Sequence, residues 1–283
     1  MHEALQVTRA HALGSLAAAA LHASGGRFAP LAGFPDAPYR QAAGEIIWIG
    51  HAGPMHPRAV FVPAGSIPSA QRIEDHGIAP WLPDTGLLDT LAHARLVRSL
   101  AGLLPHLQSS LPSAGLGPLL AGRSPAFPLS ARHTEALAVG RAALNGDTGG
   151  FEKAAVRLLG AGVGLTPSGD DFIGAILFGA RLAPAGAAHW QACGTMLCVE
   201  ARARTHAISA ALFADLAAGA SFSPLHSLVH AAADGAPPPV LMAHVGALTA
   251  IGHCSGWDML TGLIAATVGL PRALNRHYSS PPP

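Results

Sequence analysis

Apolar residues along this chain change rhythm near residue 85. Before it, short β-branched and aromatic runs stand between clusters of Pro and Gly; after it, they recur every three to four residues. Glu45-Ile-Ile-Trp-Ile49 and Arg58-Ala-Val-Phe-Val62 read as two strands joined by a turn at Gly50-His51-Ala52-Gly53-Pro54. More short strands are expected between Phe28 and Trp81, where Pro and Gly are too frequent for helices. Ahead of them, Arg9 to Ala23 is rich in Ala and Leu and predicts a helix ended by Ser24-Gly25-Gly26. From Leu87 to Leu107 the stripe Leu88, Leu91, Leu96, Leu100 and Leu103 predicts an amphipathic helix. Helices follow at 130–144, 151–159, 172–182, 188–202, 205–217, 224–233, 239–251 and 256–268. Ser109 to Ser130, rich in Ser, Pro and Gly, suits a linker or long loop. The expected fold is therefore α+β. A β-rich N-terminal domain (1–110) precedes the linker (111–130), a mainly α-helical bundle (131–274) and a disordered tail (275–283).

Within the helical part, Gly160-Ala161-Gly162-Val163-Gly164-Leu165-Thr166-Pro167-Ser168-Gly169-Asp170-Asp171 precedes a wholly apolar run. Three glycines in five residues let main-chain N–H groups approach a guest closely. Ser168 with Asp171 has the spacing of a capping box, so a helix is expected to start near Gly169. A helix start attracts anions through its free N–H groups and dipole, yet this one carries two aspartates of which a cap needs one. No Lys follows the glycines, which excludes a P-loop, and the Gly-x-Gly-x-x-Gly spacing of dinucleotide sites is absent. A second stretch, Gly252-His253-Cys254-Ser255-Gly256-Trp257-Asp258, repeats the pattern Ser-Gly-x-Asp ahead of another apolar helix. Either the two are unrelated helix caps, or they are paired loops facing one polar site. Two such polar ends in an apolar bundle would be costly to bury apart, which favours the shared site.

Composition narrows the functional classes. Half of the residues are hydrophobic, 12% are charged and the net charge is +1, with scattered Lys and Arg, so nucleic acid and anionic membranes are not expected partners. Sixteen histidines form no cluster with metal-ligand spacing, and Cys193, Cys198 and Cys254 form no paired motif. An odd cysteine count favours a reducing cytoplasm. No signal peptide is read, and the most membrane-like segment, Val240 to Leu270, is interrupted by His244, Gly252, His253, Gly256 and Asp258. His51 and His56 flank the expected strand turn and read as loop histidines.

Gly-Leu-Thr-Pro-Ser-Gly-Asp-Asp (164–171) and Gly-His-Cys-Ser-Gly-Trp-Asp (252–258) resemble the AllH-like family, long catalogued as a domain of unknown function. Arg204-Thr205-His206-Ala207-Ile208-Ser209 and the segment at Gly53-Pro54 add to the resemblance. Val163 stands where the family often has Pro, and Cys254 where it often has Ser or Thr. One member type is a subunit of oxamate carbamoyltransferase, which acts in anaerobic allantoin degradation, part of purine catabolism. The resemblance implies a cytoplasmic transferase that works in a multi-subunit complex and converts oxalurate and phosphate to oxamate and carbamoyl phosphate.

Carbamoyl transfer needs an anion cradle, donors toward the carbamoyl oxygen and exclusion of water. The candidate catalytic residues are Asp170, Asp171, His253 and Asp258, to orient amide N–H groups or move a proton. Gly162, Gly164, Thr166, Ser168, Gly169, Arg204, Thr205, Ser255 and Gly256 are the candidate substrate-binding residues; the guanidinium of Arg204 suits phosphate or carboxylate, and Thr205 can cap the next helix. Expected partners are a small anion (oxamate, oxalurate, carbamoyl phosphate or phosphate) and other protein subunits. Two alternatives stay open: a non-catalytic assembly or ligand-binding subunit, and a phosphoryl- or acyl-transfer enzyme that holds Mg²⁺ on its aspartates.

Overall fold

The computed structural model of the chain describes residues 7–34, 37–65, 72–75, 77–84, 86–183 and 185–271. The expected tail, 275–283, lies outside them. By its contacts the chain forms two units, one of residues 1–86 with 218–228, the other of residues 87–217 with 229–283. The architecture is α+β, with strands in the first unit and helices dominating the second.

In the smaller unit β1 (Val7–Arg9), β2 (Ala12–Leu13), α1 (Ser15–Ala23), β3 (Ala29–Pro30), β4 (Tyr39–Ala42), β5 (Glu45–Gly50), β6 (Ala59–Phe61) and β7 (Arg72–Glu74) follow one another. Five strands form a sheet in the order β2-β6-β5-β4-β3, and β1 pairs with β7. The helix expected from Arg9 thus begins only at Ser15. Residues 7–13 are claimed by strand partners, with Ala12 opposite Phe61 and Thr8 opposite Ile73, so tertiary pairing overrides helix propensity there. The 45–49 and 58–62 runs are both strands, but β5 and β6 are parallel, with Ile49 opposite Val60; residues 51–58 therefore form a crossover and not a hairpin turn. Ile47 and Ile49 alternate inward on β5 and pack with Leu13, Ala17, Leu21 and Val60 to make this unit's core.

The larger unit contains α2 (Thr90–Leu107), α3 (His133–Leu144), α4 (Thr148–Leu158), α5 (Ser168–Arg181), α6 (Ala187–Arg204) and α7 (Ala207–Ala217). After α8 (Ser223–Asp234), whose first residues belong to the smaller unit, come α9 (Pro238–Thr249) and α10 (Ser255–Thr267). Asp89 and Asp147 cap α2 and α4, accepting the Ala92 and Gly150 N–H groups at 2.7 and 2.8 Å. Asp147 is why α4 starts three residues before the expected Phe151. Ser130 does not cap α3: it lies in a 3-10 turn at Leu129–Arg132, and α3 starts at His133 with no side-chain cap. The stretch expected as a linker includes a second 3-10 turn, Gly117–Ala121, with Leu116, Leu119 and Leu120 buried in the larger unit.

At the centre α5 packs along α10. Every residue of α5 from Ser168 to Ala180 is buried, as is α10 from Gly256 to Ala265. A Cβ on Gly262 would overlap the Phe172 carbonyl oxygen, so this small residue lets the two backbones meet. Among the described residues no helix is long and apolar enough to cross a membrane.

Candidate functional site

Both Ser-Gly-x-Asp motifs occupy first helical turns, that of α5 and that of α10. Ser168, expected to cap α5, does not: the N-cap is Pro167, and no side chain closes the helix start. Its hydroxyl instead meets Asp258 of the other motif and lies 3.9 Å from Cys254 Sγ. Reciprocally, Ser255 of α10 hydrogen-bonds with Asp171 of α5, joined there by Thr166, and the Thr166 and Ser255 hydroxyls are 2.8 Å apart. Each carboxyl is thus met by the serine of the opposite motif, and residues more than eighty positions apart form one polar cluster. The glycines have matching tasks beneath it. A Cβ on Gly169 would overlap the Leu158 carbonyl oxygen and one on Gly256 the Leu248 carbonyl oxygen, so each lets its helix start against the end of an earlier helix.

The three aspartates differ in how their charge is met. Asp170, 1% exposed, accepts the Gly160 N–H and the Ser209 hydroxyl, each at 2.7 Å, one on each oxygen. It ties the glycine loop to α7. Asp258, 0% exposed, accepts the Leu116 N–H at 2.6 Å through Oδ1, while its Oδ2 receives no hydrogen bond from a described residue. Asp171 Oδ2 is likewise buried without a donor. Burial pushes the Asp258 carboxyl up to about 7, against the hydrogen bonds from Leu116 and Ser168. Burial also raises Asp171 well above the ordinary carboxylate range, and the neighbouring Asp258 charge adds to the effect. Among the described residues no basic side chain contributes to either shift. Both shifts favour the protonated carboxyls, and the two oxygens without a donor leave lone pairs for N–H donors or a cation.

The remaining candidates lie apart from this cluster or at its rim. His253 is exposed beside Cys254. Arg204, expected at an anion, forms an exposed ion pair with Glu200 at 2.9 Å, one turn away on α6. Thr205 caps nothing, since its buried hydroxyl makes no hydrogen bond. Gly162 is folded back so tightly that a Cβ would stand 2.6 Å from the Ser168 nitrogen, and Gly164 is held through its carbonyl by His206 Nε2 at 3.1 Å. Between them Val163 is exposed, as is Leu165 beyond. Three participants were not assigned a task from the sequence: Ser209, Cys254 and the Leu116 N–H. The last comes from a 3-10 turn far away in sequence and carries no side-chain signal. Ser209 does sit within the segment that resembled the family.

Residues 158–267 are similar to the family model described as oxamate carbamoyltransferase subunit AllH, a match that spans less than half of the chain. The match runs from the end of α4 to the end of α10 and contains all of the Asp171–Asp258 cluster apart from Leu116. No curated protein and no solved structure matches the chain.

Proposed function

We propose that this protein is a subunit of an oxamate carbamoyltransferase-like complex and that the polar cluster at the starts of α5 and α10 takes the carbamoyl or amide end of its small substrate. The family match supports the subunit role. The observation that carries the site is the pair of buried carboxyl oxygens, Asp171 Oδ2 and Asp258 Oδ2, which no described donor reaches. A carbamoyl NH₂ offers two N–H groups in one plane, and two carboxyls with a free oxygen each can accept from both, while the one whose pKa is raised toward neutrality can return a proton. In the reaction read for the family, phosphate attacks the carbamoyl carbon of oxalurate, the bond from that carbon to the oxamate nitrogen breaks, and this nitrogen must gain a proton. Asp258, held near neutrality, suits that transfer, and Asp171 suits the orientation of the NH₂. Asp170, saturated by Gly160 and Ser209, positions the loop and does not touch substrate in this reading.

The test is phosphorolysis of oxalurate by the assembled complex, measured as carbamoyl phosphate formed, with Asp258→Asn or Asp171→Asn in this subunit. Loss of turnover with the complex intact supports the reading, and unchanged turnover removes it. A second reading, a subunit whose glycine loop docks another chain while the chemistry happens elsewhere, is favoured by the exposed Val163 and Leu165. Under it, Val163→Asp weakens assembly and Asp258→Asn does not alter turnover.

A further inference from the structure

Three carboxylates are buried at the starts of α5 and α10, and one of them is accounted for: Asp170 has a donor on each oxygen. Asp171 and Asp258 are 6% and 0% exposed, and each keeps one oxygen that receives no hydrogen bond. The polar groups around that pair are hydroxyls, those of Thr166, Ser168 and Ser255, together with the Cys254 thiol; no ion pair to either aspartate is recorded among the described residues. Two carboxylates buried side by side are either neutralised by protons or held ionised by a cation, because each charge loses its hydration and repels the other.

We infer that Asp171 and Asp258 hold a divalent cation of the Mg²⁺ class between the two helix starts, bound through the carboxylate oxygens that face no donor. The donor set decides the class. Two carboxylates flanked by aliphatic hydroxyls are hard oxygen ligands, which suit Mg²⁺ or Mn²⁺ and not Zn²⁺. No cluster of three or more His, Cys, Asp or Glu side chains suited to a metal exists among the described residues, so two carboxylates are the acidic ligands this site would offer. Mg²⁺ is commonly held in this way, by one or two carboxylates, with water and substrate oxygens completing an octahedron. Such an ion would stand in place of the protons and present positive charge to the phosphate or carboxylate oxygens of a substrate, a role that Arg204, paired with Glu200 on the surface of α6, does not fill. The use of the ion rests on the proposed function, with the ion taking up the two free oxygens and meeting the substrate in their stead; its binding is independent of that reading and is measured on this chain alone without substrate.

The experiment is a titration of the purified full chain with Mn²⁺ followed by electron paramagnetic resonance, with Mg²⁺ as competitor. One saturable Mn²⁺ per chain is expected, displaced by Mg²⁺, and Asp171→Asn or Asp258→Asn should weaken it at least tenfold. Absence of a saturable site, or equal affinity in both variants, overturns the inference. A second readout needs no variant: bound Mn²⁺ should broaden the amide resonances of Gly169 and Gly256 beyond detection in the wild-type chain. If these lines stay sharp at saturating Mn²⁺, the ion binds elsewhere and the inference fails. A negative result leaves the amide-binding role open, since oxalurate turnover is assayed separately. Loss of turnover without Mn²⁺ binding would retain the proposed function and discard the metal.

Discussion

Each unit of the molecule buries titratable groups, but they are treated in opposite ways. In the smaller unit His56 is 2% exposed, accepts the Arg58 N–H at 3.2 Å through Nδ1, and lies 4.5 Å from the Phe222 ring. Nearby, His226 accepts the Ser221 N–H at 3.1 Å through Nε2 and lies 3.0 Å from the Asp84 carbonyl through Nδ1, the pattern of a neutral imidazole donating there. Arg58 itself is paired with Glu45 at 2.9 Å and with the Ile46 carbonyl. These polar groups have found partners inside the fold, and their chemistry is spent on holding it. In the larger unit Asp171 and Asp258 are buried as deeply, yet each keeps an oxygen without a donor. Burial is common to both regions; what sets the second apart is polarity left unanswered, which is what the proposed site rests on.

Substitutions test that contrast most strongly. Asp258→Asn keeps an acceptor for the Leu116 N–H and removes a buried charge, so the melting temperature should hold or rise while turnover of the assembled complex falls by about 100-fold or more. His56→Ala should do the reverse. It leaves a cavity beside Phe222 and removes the acceptor of the Arg58 N–H, lowering stability by about 2–4 kcal/mol with turnover per folded complex unchanged. Thermal melts paired with activity assays check both. If His56→Ala loses turnover and Asp258→Asn loses stability, the assignment of the two regions is inverted.

The glycines of the two motifs give the next largest effect. Gly169 and Gly256 each face the carbonyl of an earlier helix end, Leu158 and Leu248, with no room for a methyl group. Gly169→Ala and Gly256→Ala should each cost about 1–3 kcal/mol, measured by denaturant unfolding, and by similar amounts if the two helix starts are equivalent. A cost confined to one of them would reduce the motif echo to coincidence of sequence.

How much of this was legible beforehand follows from range. The central helices were readable because α5 and α10 are apolar over nearly their whole length, and the meeting of the two helix starts in one polar cluster because the Ser-Gly-x-Asp pattern occurs twice. Ser168 misled because local spacing favours a cap, whereas the tertiary fold offered its hydroxyl Asp258 from another helix. The strand at Val7–Arg9 and the parallel pairing of β5 with β6 were hidden for the same reason. Their partners, Arg72–Glu74 and Ala59–Phe61, are distant in sequence or reached by a crossover whose direction no local pattern encodes. Arg204 was placed at an anion on chemistry alone, without knowledge that Glu200 stands one turn before it on α6.

Acid and base should separate the two units by sign. His56 is lowered from 6.5 to about 3, so between these values the unfolded chain binds the extra proton and the smaller unit loses stability as pH falls through the window. Asp258 is raised from 3.8 to about 7, so the folded state binds the extra proton and the larger unit loses stability as pH rises through that window. Each slope is at most roughly 1.4 kcal/mol per pH unit for a single group. Hydrogen exchange of amides in β5 and in α10, followed from pH 4 to 7 with divalent ions chelated, should show protection rising with pH in the first and falling in the second after correction for intrinsic exchange. Parallel trends would show that Asp258 finds compensation within the fold. Addition of Mg²⁺ should flatten the α10 trend and leave β5 unchanged.

The smallest expected effect concerns the arginine that the sequence placed at the substrate. Arg204 pairs with Glu200 at 2.9 Å with both side chains more than a third exposed, and such surface pairs contribute about 0.3–0.5 kcal/mol. Arg204→Ala should therefore leave the melting temperature within about 2 °C and, since no contact to Asp171 or Asp258 is recorded, leave Mn²⁺ affinity unchanged. Turnover of the assembled complex discriminates further. If the anion end of the substrate is held by a cation on the aspartates, KM for phosphate in Arg204→Ala stays within about twofold of wild type, less than the loss of one charge-assisted hydrogen bond would cause. A rise of tenfold or more in that KM, at constant stability, would mean that Arg204 leaves Glu200 when substrate binds. The positive charge opposite the two aspartates would then be a guanidinium of this chain, and the contrast with the self-contained pairing of Arg58 and Glu45 would lie in which arginine is free to exchange its partner.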